Sequence, residues 1–194
     1  MVDLKTIQVL REKTGLGLMD CKKALMESDG DVEKAVEALR KRGMALASKK
    51  SGNATSNGLV YAYIHAGSRI GVLVKITCET DFVARTDAIS SFARDIAMHI
   101  AAVNPKYLSS SDVDEEILEK EKEIILEQLK TANKPQNIID GIVKGKIKKF
   151  CDDNCLLNQP FVKNDKIAIE GYLKEVVAKV GENVRIDAFT RYEI

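Results

Sequence analysis

The run Ile70-Gly71-Val72-Leu73-Val74-Lys75-Ile76-Thr77-Cys78-Glu79-Thr80-Asp81-Phe82-Val83-Ala84-Arg85 begins as a β-strand and ends where a helix must start. Its first nine residues are rich in Val and Ile, the signature of a buried strand, and Thr86-Asp87 reads as the cap of a following helix. Asp81 and Phe82 therefore fall in the turn between them. Two fates are open to Phe82. It can fold back beneath its own helix as a hydrophobic staple, or it can stand outward on a stiff turn as a probe aimed at another molecule.

Upstream, Leu59 to His65 forms a second strand-like run, and Ala66-Gly67-Ser68-Arg69 supplies the turn of a hairpin. Downstream, Ile89, Phe92, Ala93, Ile96, Ile100 and Val103 recur at helical spacing until Asn104-Pro105 stops them. Near the end, Asn158-Gln159-Pro160-Phe161-Val162 reads as an extended link. It leads to a helix carrying Ile169, Leu173, Val176, Val177 and Val180, closed by Gly181. Val184 to Tyr192 is a last strand able to pair antiparallel with the hairpin. The expected core is α+β, a small antiparallel sheet covered by two helices.

Between those helices lies an appendage. Ser109-Ser110-Ser111-Asp112 opens a charged helix from Val113 to Lys130, Asn133-Lys134-Pro135 turns the chain, and Ile138, Ile139, Ile142, Val143, Ile147 and Phe150 repeat on the way back. The outgoing arm is acidic through Asp112, Asp114, Glu115, Glu116, Glu119, Glu121, Glu123 and Glu127. The return arm carries Lys144, Lys146, Lys148 and Lys149, so an antiparallel helical hairpin over about 112–155 is expected. Its charges read as a solvated flank, each pair worth a few tenths of a kcal/mol.

The N-terminal residues, 1–44, form a separate pattern, a compact three-helix unit. Asp3 caps a helix bearing Leu4, Ile7, Val9 and Leu10, and Thr14-Gly15-Leu16-Gly17 breaks it. A second helix carries Met19, Cys21, Ala24, Leu25 and Met26; Ser28-Asp29-Gly30-Asp31 turns into a third with Val32, Ala35, Val36 and Leu39, closed by Arg40-Lys41-Arg42 and Gly43. Residues 45–57, with Lys49-Lys50 and no sustained apolar face, read as a linker, and 58–194 as the core domain.

Composition narrows the function. The 194 residues include 30% charged side chains, yet the formal net charge is only +1, so no global field points to nucleic acid or membrane. Tryptophan is absent and aromatics are 5%, which argues against a stacking platform for single strands. The start Met1-Val2-Asp3-Leu4-Lys5 resembles neither a secretory nor an organellar leader, and no apolar run reaches spanning length. A chain of the bacterial-type cytoplasm is expected. Cys21, Cys78, Cys151 and Cys155 read as reduced thiols, with no metal site and no cofactor implied.

Several motifs together resemble one family. Thr14-Gly15-Leu16-Gly17-Leu18-Met19-Asp20-Cys21-Lys22-Lys23-Ala24-Leu25, followed by Gly30-Asp31 and Ala35, is similar to the ubiquitin-associated-type (UBA-like) N-terminal domain of translation elongation factor Ts. Thr80-Asp81-Phe82-Val83-Ala84 is similar to the second signature of that family. The resemblance continues through residues 65–74, 98–102 and 159–162, so it covers the whole chain. It implies a guanine-nucleotide exchange factor for the GTPase elongation factor Tu, with no covalent catalysis, whose Asp-Phe turn enters near the Mg²⁺ and phosphate site of Tu.

Carried over by motif, the resemblance assigns Tu contact to Arg11, Leu18, Met19 and Lys22 on the first domain, and to Thr80, Asp81, Phe82 and Val83 at the turn. His65 matches a further family contact position. Cys21, Ala24 and Leu25 read as core, and His99, at the border of an apolar face, as packed. The chain resembles the short form of the family, with a single strand-hairpin module, whose members tend to dimerise. Thr190 stands where some of them carry a linking cysteine, so the resemblance allows a noncovalent homodimer and disfavours a disulfide-linked one.

Three rival readings make different demands. A generic UBA-like adaptor has no use for the Asp-Phe turn. An enzyme would need a nucleophile and base such as Cys78 with His65 or His99, and no oxyanion-type glycine loop or third orienting group accompanies them. Nucleic-acid binding would rest on Lys41-Arg42 and Lys49-Lys50, a basic stretch that ordinarily is only solvated.

Overall fold

The computed structural model describes residues 2–130 and 135–194. Helix α1 (Leu4–Thr14) stops where Gly15 adopts φ 66°, and the Gly15 N–H donates to the Arg11 carbonyl at 2.7 Å. Helix α2 (Leu18–Glu27) ends in the expected turn, with Gly30 at φ 83° returning its N–H to Leu25 O. Asp31 then caps α3 (Val32–Lys50) by accepting from the Lys34 N–H at 3.1 Å. Ile7, Leu10, Cys21, Ala24, Leu25, Ala35 and Leu39 meet in one buried cluster.

One helix end differs from the sequence reading. Helix α3 does not close at Gly43 but continues to Lys50, taking up the first part of the anticipated 45–57 linker. The reason is packing. A Cβ built on Gly43 would lie 2.8 Å from the Ala178 Cβ, so the glycine serves a close approach between helices rather than a stop. Its neighbour Arg40 pairs with Glu175 at 3.6 Å, and Ala47 is buried.

The hairpin of β1 (Asn57–Ile64) and β2 (Ile70–Cys78) falls where expected, closed by the His65 N–H on Ile70 O at 2.9 Å. The last strand, β5 (Val184–Glu193), joins β2 to give the order β1-β2-β5. Lys75 pairs with Asp187 at 2.7 Å and the Ile194 N–H reaches Arg69 O, which fixes the antiparallel sense. Along β5 the in-out alternation is interrupted by two successive exposed residues, Asp187 and Ala188.

A single helical turn, α4 (Asp81–Ala84), precedes α5 (Asp87–Val103), whose Ile89, Phe92, Ala93, Ile96 and Ile100 are all fully buried. Val103, at the helix end, is exposed instead. The projecting hairpin is α6 (Glu115–Leu129) and α7 (Gln136–Asn154). Asn133 and Lys134 of its expected turn lie outside the described residues. Ion pairs such as Lys122–Glu119 and Lys148–Asp152 run along single arms, while Lys146 crosses to Gln128 at 2.7 Å.

The link after α7 is more structured than expected. Pro160–Phe161 (β3) and Asn164–Ala168 (β4) form a small antiparallel ladder, too short for any alternation to announce it. Helix α8 (Ile169–Val180) follows as anticipated and ends at Gly181, φ 75°. The chain divides into two compact units, residues 1–61, 75–93 and 171–187 in one, and 62–74, 94–170 and 188–194 in the other.

Candidate functional site

Strand β2 buries Val72, Val74, Ile76 and Cys78, which makes it a rigid stem for the turn at its end. Thr80 is extended (φ −124°, ψ 156°) and caps α4, its Oγ1 accepting from the Val83 N–H at 3.4 Å. With Asp81 at the positive end of the helical turn, the sequence Thr80-Asp81 favours a helix start, so the Asp-Phe segment is a helical turn rather than a loop. Ala84 points inward and is buried; Val83 is half-buried; Phe82 is 81% exposed. The staple alternative is thus excluded by position. Asp81 forms an i,i+4 ion pair with Arg85 at 3.2 Å, and both are exposed. Thr86 closes the segment, donating to Val83 O at 2.8 Å and accepting from the Ile89 N–H.

The base of this turn is tied down by polar groups from distant parts of the chain. Thr80 donates its N–H (3.0 Å) and its hydroxyl (2.8 Å) to the Glu182 carboxylate. Glu79 accepts from the Asn183 N–H at 2.6 Å and from the Asn53 side chain at 3.0 Å, with Lys50 at 3.7 Å. The buried Asn183 side chain in turn donates to Asn53 O at 2.7 Å and Ser51 O at 3.4 Å. These donors hold the Glu79 carboxyl below its ordinary range, the Asn183 N–H first, then Asn53, with Lys50 adding a smaller charge contribution. Sequence reasoning missed Glu79, Glu182, Asn183 and Asn53. No periodicity marks them, and the only local signal was Gly181, which read as a helix stop.

On the three-helix part of the same unit, Leu18 (44%) and Met19 (70%) are exposed at the start of α2 and lie outside its core. Arg11 and Lys22 are exposed as well. Met19, Lys22 and Met26 recur at i, i+3 and i+7, so Met26, 62% exposed, extends the stripe by one further turn. Its spacing was the available sign. Cys21, Ala24 and Leu25 are buried on the opposite side.

His65 belongs to the other compact unit. It is exposed just beyond β1, with its Nδ1 3.0 Å from the Tyr63 hydroxyl. His99 is fully buried: Nδ1 accepts from the Val162 N–H, which leaves Nε2–H to donate to the Gln159 Oε1 at 3.0 Å. Burial pushes its pKa down, partly offset by Gln159.

The Cys78 thiol donates to Thr80 O at 3.1 Å, and burial, then the Glu182 charge, push its pKa up, the reverse of nucleophile activation. Among the described residues no group of three or more His, Cys, Asp or Glu side chains could hold a metal ion, and no helix is long and apolar enough to cross a membrane.

A family model described as Elongation factor TS matches residues 6–194. The chain belongs to the elongation factor Ts family. Curated relatives match all of this chain. Elongation factor Ts of Carboxydothermus hydrogenoformans is 52% identical over 194 residues, which is all of this chain and 89% of the relative. That of Thermoanaerobacter sp. is 51% identical, covering all of this chain and 95% of the relative. That of Thermotoga neapolitana is 50% identical, covering all of this chain and 97% of the relative. Membership in the elongation factor Ts family makes the chain a translation elongation factor, and its mixed helix-and-sheet architecture is in keeping with that.

Proposed function

We propose that the chain is the guanine-nucleotide exchange factor of elongation factor Tu, gripping Tu through Arg11, Leu18, Met19 and Lys22 and inserting the Asp81-Phe82 turn, flanked by Thr80 and Val83, near the Mg²⁺ and phosphate site. The observation that carries the reading is Phe82: a large apolar ring, 81% exposed, on a turn whose base is fixed by hydrogen bonds. An exposed ring on a stiff support is a wedge. A nucleotide and its Mg²⁺ are held by a backbone cradle and oriented oxygens, so displacing those elements weakens binding without breaking a covalent bond.

The Thr80 hydroxyl is engaged internally, so its contribution is to shape the turn. His65 is a peripheral contact in this scheme, and Tu, rather than nucleic acid, is the partner. Linkage makes the effect reciprocal: the factor lowers GDP affinity by the same ratio by which GDP lowers affinity for the factor. A coupling of about 3–5 kcal/mol corresponds to roughly 10²- to 10³·⁵-fold. The exposed Ile64, Leu73 and Tyr192 of the second unit favour a noncovalent homodimer as well. The four free cysteines suit a reducing, bacterial-type cytoplasm.

The test is stopped-flow release of a fluorescent GDP from purified Tu. Strong acceleration by the chain is expected, and an unchanged release rate at saturating protein rejects the exchange reading.

A further inference from the structure

Phe82 cannot be held in place by its own packing, since most of its ring is in solvent, and one helical turn is too short to be stable by itself. Its direction must be fixed at the base of the turn. There the two residues immediately before Asp81 are each held by a residue following α8. Glu182 takes both the N–H and the hydroxyl of Thr80, and the Asn183 N–H donates to Glu79. Gly181, at φ 75°, reverses the chain so that these two residues can face the end of β2.

Helix α8 also supports the three-helix part of the unit. Ala178 is the close neighbour of Gly43 on α3, and Lys179 lies against Gly15, where a Cβ would come within 3.1 Å of its Cε. One helix therefore carries, along its length, contacts to the surface bearing Leu18 and Met19 and, just past its end, the bonds to the Asp-Phe turn. Asn183 adds a second tie by donating to Ser51 O and Asn53 O directly after α3.

We infer that Glu182 and Asn183 are positioning residues that aim Phe82, and that α8 sets the distance between the docking surface and the wedge before any partner arrives. The inference rests on the exchange-factor reading above. Neither residue needs to touch the partner: each acts through Thr80 or Glu79 on the turn. Removing Glu182 leaves Leu18 and Met19 untouched but frees the turn to sample other directions. Loss should therefore appear in the maximal exchange rate and not in docking.

The experiment is a double-mutant cycle on GDP release from Tu, titrated with wild-type protein, Glu182→Ala, Phe82→Ala and the double variant. Glu182→Ala should lower the maximal rate about 10- to 100-fold, the cost of a misplaced group, with the half-saturating concentration changed less than about twofold. In the Phe82→Ala background the same substitution should change the rate less than about twofold, because there is no ring left to aim. Glu182→Gln, which keeps one acceptor, should recover part of the rate, and it replaces Glu182→Ala in the cycle if that variant does not fold. Equal losses in both backgrounds, or a loss confined to half-saturation, overturn the inference while leaving the exchange reading standing. Failure of the wild-type protein to accelerate release overturns both.

Discussion

Replacing Phe82 by alanine should separate two quantities that usually move together, stability and activity. A phenylalanine side chain presents about 200 Å², and Phe82 already keeps about four-fifths of that in solvent. Folding therefore covers only about 40 Å² of it, worth about 1 kcal/mol at about 25 cal/mol per Å². In a chain of this size that is about 2–4 °C of melting temperature. The remaining area, about 160 Å², is available to a partner and sets a ceiling of about 4 kcal/mol on what docking the ring can return. Truncated interface anchors typically cost about 2–4 kcal/mol, so the maximal rate of GDP release from Tu should fall about 30- to 700-fold. Thermal unfolding and stopped-flow nucleotide release on the same preparation measure the two sides. A melting temperature lowered by more than about 10 °C would mean that the ring supports the fold. A rate within about threefold of wild type would mean that the ring is not the wedge.

Met19→Ala should raise the half-saturating concentration about 5- to 30-fold while leaving the maximal rate nearly unchanged, since it removes contact at the grip and none at the turn. Gly58→Ala should destabilise the protein by about 3 kcal/mol, measured by urea unfolding, because the new Cβ would sit 2.0 Å from the Ile76 carbonyl oxygen on the neighbouring strand. His99 gives a pH signature. Burial lowers its folded-state pKa below the ordinary 6.5, so the unfolded chain binds the proton first and stability falls as pH drops from about 6.5 toward the folded value. His99→Gln should flatten that part of the profile in denaturant titrations between pH 7 and 5; an unchanged slope would show that other groups carry it.

The helices and the hairpin were readable because burial imposes a period. Ile89, Phe92, Ala93, Ile96 and Ile100 recur at helical spacing and are all buried, and β2 buries Val72, Val74, Ile76 and Cys78 at every second position. Phe82 was not readable in that way, since a staple and a probe share one local pattern. The distinction comes from the exposure of its ring, on a turn whose base Thr80 ties to Glu182, 102 positions away and outside any short window. Gly43 misled for a related reason: locally it resembles a helix stop, and only Ala178, from a different helix, shows that the missing Cβ serves contact. The β3–β4 ladder lacked the length to declare itself, its pairing set by register rather than by pattern. Leu18, Met19 and Lys22 were singled out through the motif they belong to, and all three are exposed. Met26 belongs to the same stripe, as its exposure shows.

The ion pair between Asp81 and Arg85 has a kinetic consequence. It closes the charges of the helical turn on each other, so the tip that carries Phe82 presents almost no net charge to an approaching molecule. Long-range attraction then has to come from elsewhere on the surface, and Arg11, Lys22 and Lys23 are exposed on the three-helix part of the same unit. Added salt should slow the first encounter through those cations, over a screening length of about 8 Å at physiological ionic strength, while leaving the later insertion of the ring almost insensitive to ionic strength. On the exchange-factor reading proposed above, the salt dependence would separate an electrostatic capture from a steric penetration.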